Sequence, residues 1–599
     1  MKETTLKSRN EIREEDKWDI EKIYKSSDEF EKDFEALKKE APKIKDFEGK
    51  LNDPQNILEY LKYSEKMNRL AEKLYVYSHL KSDEDTANNE NQARMSKIDS
   101  YMADFSSYSA YFVPEILSLG EEYIMKAMEE VPELKNYEFL FRDILKEKDH
   151  VLTKEMEELL SQVSDCLDAP DAIHNMLSNA DMKFNKIKDE NGKEVELTEG
   201  NYSSFIKSKD REVRREAFKT LFSAYKNLQN TFGTTLSASI KNFIFSAKIR
   251  KYKNALEASL KPNDIDVKVY KEAINTIDKN LSSLHRYVSL KKRMLGLDEM
   301  HMYDLYVPVI EIEKEHIEFD KGVEIAKEGL KPLGEEYLSI FNEGIENRWI
   351  DKYQNKGKKG GAYSWGCYDT MPYVLLNYNY DLNDVSTLVH EMGHSIHSYY
   401  SRKNQSYFYS GYTLFCAEVA STTNEALLIH HLINKETDKN KKLYLINQEL
   451  EQIRTTVFRQ LMFAEFELFT HESIESGIPL TALEYSKKWH ELNVKYFGPD
   501  IVVDEDIDIE WARIPHFYSD FYVYQYATGY AAASAFASSI LNKEENAVSK
   551  YITFLKSGGS DYPINILKKA GVDMTTSKPL EATINRFNEL LDMLEENLK

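Results

Sequence analysis

The stretch H-E-M-G-H at 390–394 has the residue types and the spacing of a catalytic metal site. On an α-helix, residues four apart lie on one face, so His390 and His394 can present their imidazoles to a single metal ion. Glu391 follows His390 directly and is close enough to reach a water molecule on that ion. These three side chains are what zinc-dependent peptide hydrolysis requires.

The residues around this motif predict the helix that must position it. Apolar side chains recur at helical spacing at 385, 388, 389, 392 and 396, and Asn383 or Asp384 can cap the start of the helix. The alternative is a surface helix with two solvated histidines. The apolar flanks argue against it, because buried histidines need polar partners.

A catalytic zinc ion needs three protein ligands and an open position for water, so a third ligand is required. The stretch 414–425 also has helical character, and within it Glu418 and Glu425 are seven residues apart on one face. A carboxylate on such an apolar helix is costly unless it is paired or bound to metal. We predict Glu418 as the third ligand and Glu425 as a hydrogen-bond partner of a ligating histidine. The alternative for Glu418 is an exposed helix face.

The extended pattern H-E-x-G-H-x-x-H, which ends at His397, resembles the thimet oligopeptidase family of zinc peptidases, in particular its bacterial oligoendopeptidase F branch. Glu418, in the stretch A-E-V-A-S, lies at the position that this family uses. Weaker similarities occur at 18–24, 150–155 and 250–260. His397 returns to nearly the same helix face as His390, so it is predicted to support the metal site or to pack beside it. It is not a fourth ligand, because a catalytic zinc ion keeps one position open.

Other peptidase classes with the H-E-x-x-H motif fit less well. Thermolysin-like and aminopeptidase-like enzymes place the third glutamate about 19–20 residues after the second histidine. This chain has Thr413 and Leu414 at those positions. The metzincin pattern requires glycine and then histidine where this chain has His397 and Tyr400.

A tyrosine-rich stretch near the C-terminus contains the predicted oxyanion donors. Tyrosines at 518, 522, 526 and 530 are four apart, as on one stripe of a helix that begins near Pro515. Such a stripe usually packs in a core, yet peptide hydrolysis needs donors for the developing oxyanion. The family resemblance implies that His516 and a downstream tyrosine face the metal. The choice among Tyr522, Tyr526 and Tyr530 stays open, with Tyr530 preferred and then Tyr526.

Two β-prone runs precede the metal-binding helix and predict a small sheet at 360–378. Glycines at 360 and 361 allow another backbone to approach closely. The family resemblance implies that the strand Gly361, Ala362, Tyr363 and Ser364 pairs with the extended substrate, a mode that recognises backbone rather than sequence. The alternative is a structural hairpin beneath the active helix.

The rest of the chain predicts a mainly α fold. Amphipathic helices are expected at 28–39, 54–81, 88–111 and 154–166, and a β-hairpin with an Asn-Gly turn at 182–198. We take the hairpin as the boundary between an N-terminal helical lobe, 1–181, and a catalytic helical lobe, 182–599. The resemblance implies a large zincin-type metallopeptidase with a deep substrate cleft.

Composition excludes several classes of protein. The 599 residues carry a formal net charge of −23, which argues against binding to nucleic acid or to an anionic membrane. The three cysteines are far apart, which argues against a disulfide framework. No signal peptide or membrane span is apparent, so a cytoplasmic location is expected.

The predicted function is hydrolysis of internal bonds in short unfolded peptides, with one Zn²⁺ per chain and Glu391 as general base. Ligand types favour zinc over manganese or cobalt. Two alternatives stay open: a helical binding protein with a vestigial zinc site, and an exopeptidase. Glu391 argues against the first, and no motif that would capture a free peptide end supports the second. The oligomeric state, the cleavage-site preference and the opening of the cleft cannot be predicted.

Overall fold

The fold is mainly helical, as predicted. The structure is a computed structural model, and it describes residues 6–313 and 315–598. The four N-terminal helices expected from apolar periodicity are observed as α1, α2, α3 and α7, with ends within a few residues of the predictions. In chain order the α-helices of the described residues are α1 (Ser27–Glu40), α2 (Pro54–Asp83), α3 (Asn89–Ser107), α4 (Phe112–Leu119), α5 (Glu121–Glu130), α6 (Glu138–Lys146), α7 (Lys154–Leu167), α8 (Ala169–Met176), α9 (Glu199–Ile206), α10 (Arg211–Asn227), α11 (Gln229–Ile249), α12 (Ala255–Leu260), α13 (Val267–Lys279), α14 (Leu281–Met294), α15 (Phe319–Leu330), α16 (Glu335–Glu346), α17 (Leu382–Asn404), α18 (Leu414–Lys435), α19 (Lys439–Ile453), α20 (Arg459–Glu475), α21 (Ala482–Phe497), α22 (Tyr524–Leu541), α23 (Ala547–Ser557), α24 (Pro563–Lys569) and α25 (Lys578–Leu598).

Short strands form three small sheets. In the described chain they are β1 (Lys186–Lys188), β2 (Glu194–Glu196), β3 (Met300–His301), β4 (Ile350–Asp351), β5 (Tyr363–Trp365), β6 (Tyr373–Leu375) and β7 (Ile501–Val502). The hairpin β1–β2 is antiparallel, and Gly192 in its turn has a φ of +76°. This confirms the hairpin that the Asn-Gly turn predicted. Strands β3 and β7 pair in parallel.

The third sheet precedes the metal-binding helix, which confirms the sheet expected at 360–378. Its strand order is β4-β6-β5, so β6 is central and β5 is an edge strand. Strand β5 pairs antiparallel with β6, with Ser364 opposite Val374. Strand β4 pairs with β6 in parallel. The central strand is buried along its length, so the sheet is anchored from β6 while β5 forms its border.

Helix α17 carries the H-E-x-x-H motif, and its apolar face is fully buried as predicted. The predicted cap was wrong: the helix is capped by Asp381, not by Asn383 or Asp384. The Asp381 carboxylate accepts a hydrogen bond from the backbone N–H of Asp384 at 3.1 Å, and the Asp384 carboxylate accepts one from the backbone N–H of Asp381 at 3.0 Å. This reciprocal capping box satisfies two helix-end donors at once.

The described chain divides into two compact units, each built from separate segments. Unit 1 comprises 6–148, 315–431 and 536–571, and unit 2 comprises 149–313, 432–535 and 572–598. The expected boundary at 181/182 therefore falls inside unit 2. A division read along the sequence cannot reveal units whose segments return to each other after hundreds of residues.

Each unit has its own aromatic core. In unit 1, the β6 residues Tyr373 and Leu375 belong to the same buried cluster as residues from α1 to α6. In unit 2, Phe466 packs edge-on against Trp489 with ring centroids 5.0 Å apart, and Phe517 packs on both. Among the described helices, none combines the length and the apolar character needed to cross a bilayer.

Candidate metal centre

Three predicted ligands converge in unit 1. His390, His394 and Glu418 each offer one ligand atom. These three atoms lie within 4.8 Å of one another. The two histidine Nε2 atoms are 3.2 Å apart. Glu418 Oε2 lies 3.4 Å from the His390 Nε2 and 3.5 Å from the His394 Nε2. Two imidazole nitrogens and a carboxylate oxygen thus point at one small volume, as one metal ion would require.

Helix α18 carries Glu418 and also provides a hydrogen-bond donor to its carboxylate. The Ser421 hydroxyl, one turn further along α18, donates a hydrogen bond to Glu418 Oε2 at 3.0 Å. Residues flanking Glu418 on α18, such as Val419 and Ala420, are fully buried, whereas the Glu418 side chain itself is 49% exposed. The carboxylate is therefore held in place yet reachable by solvent and by a ligand.

The crossing of α17 over α18 depends on Gly393. A Cβ atom at this position would lie 2.7 Å from Ser421 Cα, 3.0 Å from Ser421 N and 3.1 Å from the carbonyl oxygen of Ala420. All three are backbone atoms, so no side-chain rotation can relieve the contact. Beside this crossing, the side-chain amide of Asn424 donates a hydrogen bond to the carbonyl oxygen of Val389 at 3.2 Å. Close backbone approach thus brings Glu418 to the histidine pair.

Glu425 faces the Nδ1 atom of His390, whereas the Nε2 atom of the same ring faces the candidate ligands His394 and Glu418. The Oε1 atom of Glu425 is 3.4 Å from His390 Nδ1. A carboxylate in this position fixes the ring orientation of a ligating histidine and raises its basicity. The geometry agrees with the predicted role of Glu425, which stays a prediction.

The carboxylates make the centre attractive to a cation. Burial alone would lower the pKa of His390, but the hydrogen bond to Glu425 and the charges of Glu425, Glu391 and Glu418 raise that pKa to about 9. The hydrogen bond with His394 is the main cause that lowers the pKa of Glu418 to about 2. The surroundings therefore stabilise positive charge at His390 and negative charge at Glu418.

Glu391 has a different environment from the two other acidic residues. Its side chain is 7% exposed. Burial raises the pKa of Glu391 against the opposing effect of His390 and His394. Glu391 is not part of the three-residue ligand group. It is therefore a buried carboxylate beside the centre with increased proton affinity, which suits a proton acceptor.

His397 packs against aromatic side chains near the centre. Its ring stacks on Tyr412 with centroids 3.8 Å apart and an interplanar angle of 8°, and Phe554 lies against it at 5.1 Å. Burial lowers the pKa of His397 to about 3, so the ring is neutral. Of the two roles predicted for it, this geometry favours packing.

The edge strand β5 is tied directly to the metal-binding helix. The hydroxyls of Ser364 and Ser395 are 2.8 Å apart, and Ser395 follows the ligand His394. Of the predicted substrate segment, Tyr363 and Ser364 lie in β5, whereas Gly361 and Ala362 precede it. The Gly361 carbonyl accepts a hydrogen bond from the Asn377 amide at 2.7 Å.

The predicted oxyanion donors lie in unit 2, where several of them form a cluster. His516 lies in a 3₁₀ turn, Pro515–Tyr518. The Tyr526 hydroxyl is 3.4 Å from His516 Nε2, and the Tyr522 ring lies parallel to the His516 ring with centroids 5.9 Å apart. Tyr530 is buried in α22. The oxyanion roles stay predictions.

The prediction of one continuous helix through this tyrosine stretch was wrong. Phe521 has a φ of +60°, and α22 begins only at Tyr524. The buried Glu467 carboxylate accepts a hydrogen bond from the Phe521 N–H at 2.5 Å, and His471 Nε2 is 3.1 Å from Asp520 Oδ1. These contacts from α20 stabilise a left-handed residue that local sequence disfavours.

Comparisons with known proteins decide the family. A model described as Peptidase family M3 matches residues 204–586, and one described as Oligopeptidase F matches residues 115–184. The chain belongs to peptidase family M3. The members of this family are metallopeptidases, and this chain is therefore a metallopeptidase.

Relatives match over nearly the whole chain. Oligopeptidase PepF of Bacillus subtilis (strain 168) is 46% identical over 598 residues, which is 100% of this chain and 89% of the relative. The crystal structure of oligoendopeptidase-F from Enterococcus faecium matches with a TM-score of 0.73 and 38% identity over 96% of this chain and 99% of that one. A crystal structure from Chlamydophila abortus matches with a TM-score of 0.95 and 36% identity over 99% and 100%.

The donor set of this M3 peptidase fits a divalent transition metal. Two neutral imidazoles and one carboxylate are common zinc ligands. The three donor atoms are close enough to share one ion, and Glu425 supports His390 from outside the ligand group. A fourth position toward solvent is compatible with the half-exposed side chain of Glu418.

Replacing Glu425 by glutamine should weaken metal binding without removing a ligand. The amide keeps the shape of the side chain but loses the negative charge facing His390 Nδ1. We expect metal affinity to fall about 10- to 100-fold. Competition with a fluorescent zinc chelator measures this. Glu436→Gln, just beyond the end of the same helix, is the matched control, and equal affinities for the Glu425 variant and the wild type would contradict the assignment.

Sequence reasoning missed several residues that shape the centre. Gly393, Ser395 and Ser421 act through contacts between elements far apart in sequence. Gly393 was visible as a helix-disfavouring residue inside a helix, a signal that often marks close packing. The two serines had no sequence signal. Arg402, a basic residue in the last turn of α17, also had no sequence signal.

Proposed function

We propose that this M3 peptidase is a zinc-dependent endopeptidase that hydrolyses internal bonds of short, unfolded peptides. The observation that carries the proposal is the convergence of His390, His394 and Glu418 with the buried Glu391 beside them. Relatives named oligoendopeptidase F or oligopeptidase match nearly the full chain. Their names support short peptides as the substrate class.

The metal is proposed to be a single Zn²⁺ held by His390, His394 and Glu418. When bound, it would supply Lewis acidity, which polarises the scissile carbonyl and lowers the pKa of water toward about 7. Imidazole and carboxylate ligands favour zinc over calcium or magnesium. Elemental analysis of the purified protein distinguishes zinc from manganese and cobalt.

Glu391 is the proposed general base. Its carboxylate takes a proton from the attacking water and later delivers a proton to the leaving amine. The raised pKa of this buried group supports the role, since a more basic carboxylate accepts the proton more readily. Its position outside the ligand group leaves it free to exchange protons.

The edge strand β5 is the proposed site of substrate pairing, with the segment Gly361 to Ser364 alongside the peptide. Its position at the sheet border and its link to α17 through Ser364 and Ser395 support this assignment. Pairing through the backbone would accept many sequences, as an oligopeptidase requires.

His516, Tyr530 and Tyr526 are the proposed donors to the oxyanion of the tetrahedral intermediate. The support is the family resemblance of this stretch and the contact between His516 and Tyr526. One well-placed donor contributes about 3 kcal/mol to the stabilisation of a transition state.

The proposal is tested with one fluorescence-quenched peptide made in end-blocked and free-ended forms. We expect the purified protein to contain about one zinc per chain by elemental analysis and to cleave the blocked peptide at an internal bond. Chelation should abolish cleavage, and added Zn²⁺ should restore it. Cleavage of free-ended peptides alone would indicate an exopeptidase. Zinc binding without cleavage of either form would indicate a binding protein.

A further inference from the structure

Unit 1 contains a second feature beside the metal centre, a cavity with an arginine in its wall. The cavity has a volume of about 800 Å³. It begins at the end of β5 and follows the second half of α17. Its lining includes Glu72, Trp365, Tyr368, Arg402, Tyr407 and Tyr412.

No described carboxylate forms a salt bridge with Arg402, although the charge of Glu72 acts on it. Its Nη1 atom is buried, and no described group forms a hydrogen bond with it. Burial lowers the pKa of Arg402, which reflects the cost of removing a guanidinium from water. Glu72, the nearby carboxylate of the cavity wall, is engaged by the Tyr407 hydroxyl at 2.5 Å.

Other arginines of this chain with little exposed side-chain surface show the contrast. Arg454 pairs with Glu451 at 2.7 Å, Arg459 with Glu510 at 2.6 Å and Arg214 with Asp304 at 2.7 Å. In each case a carboxylate offsets the desolvation of the guanidinium. Arg402 forms no such ion pair among the described residues, and the charge of Glu72 offsets its desolvation only in part, so the cavity is suited to receive a carboxylate from outside the chain.

The position of Arg402 relates it to the metal centre and to the edge strand. It is eight residues after His394 on α17, which corresponds to about 12 Å along the helix axis. Its Nη1 atom lies against Gly366, the residue that follows β5, where a Cβ atom would approach it to 2.8 Å. An extended peptide advances about 3.3 Å per residue, so about 12 Å corresponds to three to four residues from the scissile bond.

We propose that Arg402 is a specificity-determining residue that binds a carboxylate of the peptide substrate, about three to four residues from the bond that is cleaved. The carboxylate is either an acidic side chain or the C-terminus of the peptide. A guanidinium binds both groups through two parallel hydrogen bonds. The inference rests on the proposed endopeptidase function and on β5 as the strand beside the substrate.

The test measures kcat/KM for a set of quenched peptides built on one neutral sequence. Glutamate replaces glutamine in turn at each of the four positions on either side of the scissile bond, and a further pair of peptides ends in a free acid or an amide. We expect the wild type to prefer one acidic peptide over its neutral partner at least about tenfold. The peptide that shows the preference identifies the source of the carboxylate.

Variants of Arg402 then assign the preference. In Arg402→Gln the ratio between acidic and neutral peptides should fall to about one. In Arg402→Lys, which keeps the charge but not the paired hydrogen bonds, it should fall at least about threefold. Lys403→Gln removes an exposed neighbouring charge and should leave the ratio unchanged. If Arg402→Gln does not fold, as judged by thermal unfolding, the ratio of kcat/KM between acidic and neutral peptides in Arg402→Lys tests the proposal alone.

Different failures have different meanings. A wild type that cleaves the neutral peptide but shows no acidic preference overturns the role of Arg402 and leaves the endopeptidase proposal intact. A preference that stays the same in the Arg402 variants also overturns it. If the wild type cleaves none of the blocked peptides, the endopeptidase proposal itself fails.

Discussion

Replacing Glu391 by glutamine is expected to lower kcat for an end-blocked peptide by about 10²- to 10⁴-fold while the protein keeps its metal. Glutamine matches glutamate in size, so the buried pocket around residue 391 should remain filled. The amide cannot accept a proton from water. Since the proposed ligand group consists of His390, His394 and Glu418, the loss of the Glu391 carboxylate should remove no ligand.

The measurement combines metal content with turnover on the same protein samples. Glu343→Gln is the control, because Glu343 lies on the neighbouring helix α16 and its carboxylate contacts the Tyr399 hydroxyl of α17 at 3.4 Å. This variant should retain both metal and activity. If the Glu391 variant holds one metal per chain and turns over within tenfold of wild type, another group must act as the base.

The first part of the site could be predicted because it depends on local periodicity. An H-E-x-x-H motif with apolar residues at helical spacing requires the two histidines to share a face, whatever surrounds them. The same reasoning placed Glu418 and Glu425 on one face of α18. In the structure both carboxylates lie 3.4 Å from a ring nitrogen of His390, Glu418 at Nε2 and Glu425 at Nδ1, and their roles stay predictions.

The discrepancies arise where distant segments decide the local conformation. The helix expected from Pro515 through Tyr530 is interrupted because Glu467 and His471, on α20, stabilise the turn at 520–521. A four-residue tyrosine spacing contains no information about those contacts. The same limit applies to the two units, since their segments alternate along the chain.

Arg402 shows a further limit of sequence reasoning. A basic residue in the last turn of a helix ordinarily interacts with the helix dipole or with solvent, and nothing in the residues around Arg402 predicts another role. Only the three-dimensional arrangement reveals that this guanidinium lies in a cavity wall against Gly366. That no carboxylate of the described chain forms a salt bridge with Arg402 is a tertiary property, and the specificity inference depends on it.

Gly393→Ala is expected to impair the metal centre although residue 393 binds nothing. In most helices this substitution stabilises by up to about 1 kcal/mol. Here the added Cβ would lie 2.7 Å from Ser421 Cα, and the helices must separate to relieve the contact. Overpacking of this kind costs about 1–3 kcal/mol, so we expect a lower free energy of unfolding.

The same separation should displace Glu418, which is one turn before Ser421 on α18, from the histidine pair. We therefore expect metal affinity to fall at least about tenfold and kcat/KM for a blocked peptide to fall at least about 100-fold, since small displacements of catalytic groups are costly. Titration with Zn²⁺, thermal unfolding and peptide cleavage measure the three effects. Gly200→Ala in α9 is the matched control, because its Cβ would meet only the Thr198 hydroxyl at 3.8 Å.

The pattern among these measurements separates packing from geometry. A variant that loses stability but binds zinc and cleaves peptide like wild type would contradict this expectation. It would show that the added Cβ displaces parts of the two helices other than Glu418. A variant with weak zinc binding whose kcat is restored by excess Zn²⁺ would place the defect in metal affinity alone. Reduced kcat at saturating zinc is the outcome we expect, because the backbone contact at Gly393 sets the distance between the two helices that carry the ligands and the base.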